Sequence, residues 1–188
     1  MLQPIMKKVI TCLLIFSFCT LLLADEICDK DREELAHYAS LASSSKDAEE
    51  IYLAHFHLAR LQERLELSQK DIELNYELAF AACPNRREPL FYLGAYLRNR
   101  DLFDKSARVL GASLSIPKPE AAPELEPWIY DYGALFEYSI SCYWVARYKD
   151  TINICDELLQ RAEIPQNIRE ACQRNRNFAI KMLATQGI

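Results

Sequence analysis

Residues 90–97, LFYLGAYL, carry the spacing that decides the fold. The three leucines and the glycine of this run recur at i, i+3, i+4 and i+7, which places them on one face of an α-helix. Pro89 stands just before the run, where proline is tolerated at the start of a helix, and Pro84 ends the preceding pattern. We therefore expect a helix that packs through its leucine–glycine face, with Phe91 and Arg98 projecting from another side.

The pattern around this run recurs on both sides of it. It continues through Phe103, Ser106-x3-Leu110 and Pro117. In the preceding copy, about 34 residues earlier, the matching positions are Phe56, Ala59, Ile72, Tyr76, Ala79 and Pro84. In the following copy, which comes after an insertion, they are Leu135, Tyr138, Cys142, Tyr148, Thr151, Cys155 and Leu158. Three copies in series indicate a repeat architecture, although Arg60 and Glu63 depart from the pattern and Tyr138-Ser139 replaces the leucine–glycine pair.

This pattern resembles the tetratricopeptide repeat, W-x2-L-G-x2-Y followed by A-x3-F and a closing proline. The resemblance implies an all-α fold, a short right-handed solenoid of antiparallel helix pairs with a C-terminal capping helix. Composition agrees with the fold class, because the chain has only four glycines and its apolar residues recur at helical spacing.

The domain organisation follows from these patterns. We expect a signal peptide over 1–24, an N-terminal helix over 25–46 and a repeat domain over 47–186. Within that domain, the predicted units are repeats at about 53–86, 87–117 and 132–165, a proline-rich insertion at 117–127 and a capping helix at 166–185.

The N-terminal segment has the layout of a secretory signal. Lys7 and Lys8 precede an uncharged apolar run that ends at Ala24, and Asp25 follows it. The run is shorter than the roughly 20 residues that cross a bilayer as a helix, which favours cleavage after Ala24 and a secreted or periplasmic protein. Leu22 fits the cleavage site poorly, so an uncleaved anchor stays open as an alternative. Translation can begin at Met1 or at Met6.

The charge balance narrows the class of partner. Removing residues 1–24 takes away two lysines and no acid, so the formal charge moves from −5 to −7. Nucleic acids and anionic membranes bind basic stripes, which this chain lacks. We therefore expect a protein or peptide partner, no nucleic acid and no membrane contact beyond the signal segment.

The cysteines leave two readings open. After signal removal five remain, Cys28, Cys83, Cys142, Cys155 and Cys172, and at most two disulfides can form among them. Export would place them in an oxidising compartment, which favours a bridge. Free cysteines are also among the most buried residue types, so they can equally serve as small core residues.

Catalytic and metal-binding patterns are weak. His55 and His57 lie two residues apart on a predicted helix and so point to different sides. Glu34-x-x-His37 has the spacing of a di-metal bundle motif, but no second pair accompanies it. Asp29-Lys30-Asp31 begins a helix, whereas a nucleotide-sugar metal site would follow a strand. We therefore predict a non-enzymatic protein with no metal and no cofactor.

Binding through a concave groove is the function that the repeat resemblance implies. By register, the inner helix of each pair contributes one stripe to the groove, and the stripes are His57, Leu61 and Arg64, then Phe91, Ala95 and Arg98, then Phe136, Ile140 and Tyr143. Aromatic and arginine side chains carry the most energy in interfaces. The predicted partner-binding residues are His57, Arg64, Phe91, Arg98, Phe136, Tyr143 and Trp144, and an ordinary core role is the alternative for the aromatic ones.

A second resemblance concerns a larger part of the chain. CPNRREPLFYLGAYLR, SIPKP, WIYDYGALFEYSISCYWVARY, CDELL and IPQNIREACQRNRNF together look like the helical repeat region attached to certain family-2-type glycosyltransferases, over about residues 50–180. The alternative function that this implies is an accessory or detached relative of such an enzyme, with a glycosyltransferase as a possible partner.

Overall fold

The computed structural model describes residues 29–185, and this part of the chain is helical with no β-strand. After α1, which covers 29–44, the helices are α2 (Ala48–Arg64), α3 (Gln69–Ala82), α4 (Glu88–Arg98), α5 (Phe103–Ser113), α6 (Ala134–Trp144), α7 (Tyr148–Gln160) and α8 (Gln166–Thr185), with a π-helical turn, Ile129–Gly133, leading into α6. The all-α fold class is thus confirmed. None of the described helices combines the length and hydropathy needed to cross a membrane.

The boundary between α1 and α2 follows from the serine run and from a cap. α1 ends at 44, within the three consecutive serines. The Asp47 carboxylate then accepts hydrogen bonds from the backbone N–H groups of Glu49 and Glu50 (2.9 and 3.0 Å), which satisfies two donors that a helix start leaves free. The Glu50 carboxylate is linked to the Asp47 backbone N–H only through Ser45. The Ser45 hydroxyl donates to Glu50 and accepts from the Asp47 N–H.

Packing proceeds from each helix to the next along the chain. The first core lies among α2, α3 and α4, where Tyr52, Ile72 and Tyr76 are fully buried. A second joins α4 and α5 to the π-helical turn and α6 through Phe91, Leu110, Ile129 and Ala134. The third lies among α6, α7 and α8 and includes Cys142, Ile154, Cys155, Leu158, Ile164 and Cys172. Helix α6 also contacts both α4 and α8, so the cores form a continuous series.

The same hydrogen bond joins α4 to α5 and α6 to α7. The Ser106 hydroxyl donates to the Gly94 carbonyl oxygen (2.8 Å), and the Thr151 hydroxyl donates to the Ser139 carbonyl oxygen (3.1 Å). Both pairs are twelve residues apart in sequence. Small residues at the matching places let the two helices approach closely, and a Cβ atom added at Gly94 would lie only 2.4 Å from Leu110 Cγ.

The turns after α2, α4 and α6 also repeat. Each contains one residue with positive φ, namely Glu66 (52°), Asp101 (59°) and Ala146 (59°). The N–H that follows each of these residues bonds to the carbonyl five residues earlier, as in Leu102 to Leu97 (3.0 Å). This is the left-handed helix ending that glycine usually occupies, and here three other residues adopt it.

The proline-rich insertion does more than extend the connection. Residues 114–126 are free of helix and run back to the turn before α4, where the Pro123 carbonyl accepts a hydrogen bond from Arg86 (2.9 Å). The predicted ranges differ slightly from the observed helices: the described part of the N-terminal helix ends at 44 instead of 46, and the capping helix matches α8 within the residues described. The predicted signal peptide lies outside the described residues.

Replacing Gly94 by alanine should destabilise the fold. The added Cβ would overlap Leu110, which is fully buried, so the expected loss is about 1–3 kcal/mol in the free energy of unfolding. Urea unfolding measures it. Gly111→Ala is the matched control, because the nearest atom there is 3.2 Å away on Tyr138 and helix propensity favours alanine. A similar stabilisation by both substitutions would contradict close packing at Gly94.

Replacing Ala146 by glycine should stabilise the fold. Ala146 is exposed and has φ 59°, a region in which an L side chain is unfavourable by about 1 kcal/mol while glycine is not. Part of that gain is lost because glycine has more freedom in the unfolded chain, so we expect about 0.5–1 kcal/mol in thermal or urea unfolding. Ala112→Gly, at an exposed position inside α5, should change stability in the opposite direction.

Candidate functional site

The predicted groove residues lie on α2, α4 and α6, and most of them are already in contact with other parts of the same chain. Among the three stripes, Leu61 is buried (5 % exposed), whereas Ala95 and Ile140 are half-buried. The segments that cover this surface, which we call the covering segments, are α1 and the insertion 114–128.

Helix α1 covers the α2 stripe. The Tyr38 ring stacks on the His57 ring with centroids 4.7 Å apart and planes inclined by 19°. Two helical turns further along α2, the Arg64 guanidinium bonds to the Asp31 carboxylate and lies 3.8 Å from Glu34. Asp31 is buried and the Arg64 side chain is exposed, so only the acid of this ion pair is shielded from water. An acidic, aromatic helix therefore already occupies the first stripe.

The insertion covers the space between α2 and α4. A Glu124 carboxylate oxygen lies 3.0 Å from His57 Nε2. The His57 ring is therefore contacted both by Tyr38 of α1 and by Glu124 of the insertion. Glu126 accepts hydrogen bonds from the Tyr92 hydroxyl (2.9 Å) and from the Trp128 indole N–H (3.0 Å). The acids of the insertion thus bind polar groups that α2 and α4 present.

Phe91 is enclosed by this arrangement. Its ring meets the Trp128 ring edge to face, with centroids 5.0 Å apart and planes at 90°, and the side chain is only 4 % exposed. Phe91 also belongs to the core that joins α5 to α6. As the chain is folded here, Phe91 acts as packing, and a partner would reach it only if the insertion moved.

The Arg98 end of the second stripe and the third stripe are more open. Arg98 forms a two-point ion pair with Glu137 of α6, with Nε 2.6 Å from one carboxylate oxygen. Phe136 is half-buried against the third core, and Tyr143 is half-buried beside Tyr148, with ring centroids 5.4 Å apart. These side chains remain partly accessible, and their role in binding stays a prediction.

Trp144 is the most exposed large apolar side chain of the predicted set, at 58 %. Its ring stacks on Phe103 at the start of α5, with centroids 5.0 Å apart and planes inclined by 13°, and it meets Tyr143 edge to face. Together Phe103, Tyr143, Trp144 and Tyr148 form an aromatic cluster where the ends of α5, α6 and α7 meet.

A buried ion cluster anchors the covering insertion, and sequence reasoning missed it. Arg86 (1 % exposed) pairs with Glu88 (fully buried) through two hydrogen bonds of 3.1 and 3.2 Å and with Glu49 at 2.8 Å. Tyr130 donates to Glu88 (2.7 Å). Burial by itself would raise the pKa of Glu88, but the hydrogen bonds from Arg86 and Tyr130 outweigh it and hold the pKa below the ordinary value.

The neighbouring Arg87 fixes the other end of the insertion. Its guanidinium donates to the carbonyl oxygens of Leu114 and Ile116, just after α5, and lies over the Tyr130 ring at 4.7 Å. The Arg87 backbone N–H donates to the Tyr130 hydroxyl (2.8 Å). The charged turn before Pro89 therefore organises the insertion. The sequence signal is the adjacent Arg86-Arg87-Glu88, three charged residues directly before an apolar run.

Two features of the described residues concern catalysis, namely the placement of possible metal ligands and the pKa of the buried cysteine thiols. No group of three or more histidine, cysteine or acidic side chains in the part of the chain that the structure describes converges as metal ligands. Burial raises the pKa of the Cys142 thiol, and burial with a hydrogen bond to Glu49 raises that of Cys83 to about 11. Such thiols are poor nucleophiles at neutral pH.

Comparison with known proteins finds no matching family model, no similar curated protein and no similar solved structure. The two resemblances described from the sequence therefore remain hypotheses, and the site is argued from its own geometry.

Replacing Glu88 by glutamine should lower stability and weaken its dependence on pH. Loss of the buried charge leaves Arg86 short of a partner, at a cost of about 3–5 kcal/mol near neutral pH. Because folding lowers the pKa of Glu88 below 4.5, its stabilisation is present above that pH and is lost as the pH falls through the folded pKa.

Urea unfolding at pH 7 and at steps down to pH 3 tests this. The gap between wild type and Glu88→Gln should shrink below pH 4.5. Glu77→Gln, at an exposed position without an ion pair among the described residues, should stay within about 0.5 kcal/mol of wild type. A gap that is constant with pH would contradict a charged Glu88.

Proposed function

We propose that this protein is an exported, non-enzymatic helical-repeat protein that binds a protein or peptide partner on the surface formed by α2, α4 and α6. In the proposal, α2–α3, α4–α5 and α6–α7 are tetratricopeptide-like helix pairs that stack into a short right-handed solenoid, and α8 caps the last pair. The inner helices of the pairs then form the concave side.

Three features support stacked pairs. The Ser106–Gly94 and Thr151–Ser139 hydrogen bonds have the same place in successive pairs. Three matching left-handed turns end α2, α4 and α6. Neighbouring pairs also contact each other, through the Arg98–Glu137 ion pair between α4 and α6 and through the buried Ser106–Ser141 hydroxyl contact between α5 and α6.

The observation that carries the binding proposal is the exposed aromatic cluster around Trp144. Trp144 is 58 % exposed although its ring is already held in place by Phe103 and Tyr143. A pre-positioned tryptophan buries a large area on binding and loses little conformational entropy. Arg98, which lies on the part of the inner surface that the covering segments leave open, is the polar member of this site.

The export part of the proposal is carried by the sequence of residues 1–24. It is tested by identifying the N-terminal residue of the protein recovered from the cells that make it. An N-terminus at Asp25 supports cleavage after Ala24, whereas a chain that retains the apolar run would mean that the segment stays attached.

The binding proposal predicts a selective loss on mutation. With the full chain immobilised as bait for proteins of its own compartment, a specific partner should bind wild type and lose affinity with Trp144→Ala. A hot-spot residue contributes about 2 kcal/mol or more, which is roughly a 30-fold rise in Kd. Isothermal titration or surface plasmon resonance with the purified partner measures it.

The controls separate binding from folding. Leu74→Ala removes an exposed leucine (46 %) on α3, far along the chain from the cluster, and should leave affinity unchanged. Circular dichroism should show all variants folded. Phe91→Ala is unsuitable as a probe because Phe91 is core. If Trp144→Ala and Arg98→Ala both bind every specific partner as wild type does, the proposed site is wrong.

The alternative, an accessory of a glycosyltransferase, is supported by the sequence resemblance alone. The same capture experiment distinguishes it: a catalytic glycosyltransferase chain as the specific partner favours the accessory role, and its absence among the partners counts against that role.

A further inference from the structure

Two cysteines meet in the core that joins α7 to α8. Cys155 lies on α7 and Cys172 on α8, both are fully buried, and both belong to the same apolar cluster. The two helices pack directly against each other, and neither cysteine is bridged in this structure. We infer that Cys155 and Cys172 are a disulfide site that clamps α8 to α7 when the chain is in an oxidising environment.

The pairing is selective on geometric grounds. A disulfide requires Cβ atoms about 3.5–4.5 Å apart that face each other, which only directly packed positions provide. Cys142 is equally buried in the same cluster, but its thiol interacts with Tyr138. Cys83 lies in the first core, where it donates to the Ala48 carbonyl (3.6 Å). Among the four described cysteines, the packing therefore favours one pair.

The clamp would act on an element with few other anchors. Of the twenty residues in α8, only Cys172 and Ala179 are buried. The remaining attachment combines Ile168, which packs partly buried against the third core, with polar contacts. Arg169 donates to the carbonyls of Leu159 and Arg161 (both 2.8 Å), and Arg176 pairs with Asp156. A covalent link at Cys172 therefore restrains the helix that covers the end of the third core.

The chemistry needs an external disulfide. One thiolate attacks a low-molecular-weight disulfide such as glutathione disulfide, which forms a mixed disulfide and releases one glutathione thiol. The second protein thiolate attacks the protein sulfur of that mixed disulfide and releases the second glutathione. Two protein thiols are oxidised and one glutathione disulfide is reduced to two thiols. The two protons that the protein thiols lose are taken up by the two glutathione thiolates.

Burial makes this reaction slow in the closed fold. The hydrogen bond with Cys172, together with burial, raises the pKa of the Cys155 thiol, and the same bond lowers the pKa of Cys172. Both residues are fully buried, so an external disulfide does not reach either sulfur while α8 is closed. The bridge then forms during folding or when α8 opens. Oxidation of the folded, reduced chain should accordingly accelerate in mild urea, where α8 opens more often.

The test uses the purified full chain, reduced and then equilibrated with glutathione disulfide. Free thiols are alkylated under denaturing conditions, the chain is digested without reduction, and linked peptides are identified by mass spectrometry. We expect a Cys155–Cys172 linked peptide and an upward shift in the urea midpoint relative to the reduced chain. Cys142→Ser should keep both results, and Cys155→Ser should lose both.

The contrary results are equally specific. The inference is wrong if Cys155 and Cys172 are both alkylated after oxidation, if each carries glutathione separately, or if either is linked to Cys28, Cys83 or Cys142 instead. Should Cys155→Ser fail to fold, the peptide map of the wild-type chain decides alone. These outcomes are independent of the proposed partner-binding site.

Discussion

The arrangement of the chain depends on the buried pair of Arg86 and Glu88. Two charges taken out of water are costly unless every donor and acceptor is satisfied, and here the satisfying groups come from distant parts of the sequence. Glu49 belongs to α2, Tyr130 to the π-helical turn, and the Pro123 carbonyl to the insertion. The pair thereby requires that α2, α4 and the insertion all be in place together, so it links local helices into one tertiary structure.

The same pair explains why the predicted groove is partly covered. Because the insertion is tied to Arg86 and Arg87, its acids Glu124 and Glu126 are brought against α2 and α4. Helix α1 adds Asp31, which pairs with Arg64 on the same stripe of α2 as His57. Arg64 and Arg86 are both paired with acids of the chain itself. A partner for that half of the surface has to replace existing contacts, whereas the Trp144 cluster is accessible without rearrangement.

The spacing of apolar residues predicted the helices well because it depends on the local geometry of the helix. The leucine–glycine run is α4, the Asp47 cap begins α2, and the last predicted segment is α8. The contacts of the covering segments could not be predicted from the sequence, because no local pattern indicates that Glu124 lies against His57 or that Trp128 packs on Phe91. Trp144 was among the predicted binding residues, but its stacking on Phe103 was not predicted, because Phe103 comes from a different helix. Contacts between remote residues depend on tertiary packing, which spacing along the chain does not encode.

Each left-handed turn joins the two helices of a pair, and within a pair the number of residues is fixed. Between pairs the number of residues can vary. The bonded positions Gly94 and Ser106 have the same sequence separation as Ser139 and Thr151, although a long insertion lies between the two pairs. Added residues within a pair would break that bond and move the small residue away from its neighbour. Added residues between pairs leave both intact. In evolution or in protein engineering, segment 114–128 is therefore the place where the inner surface can be remodelled while the helical framework is kept.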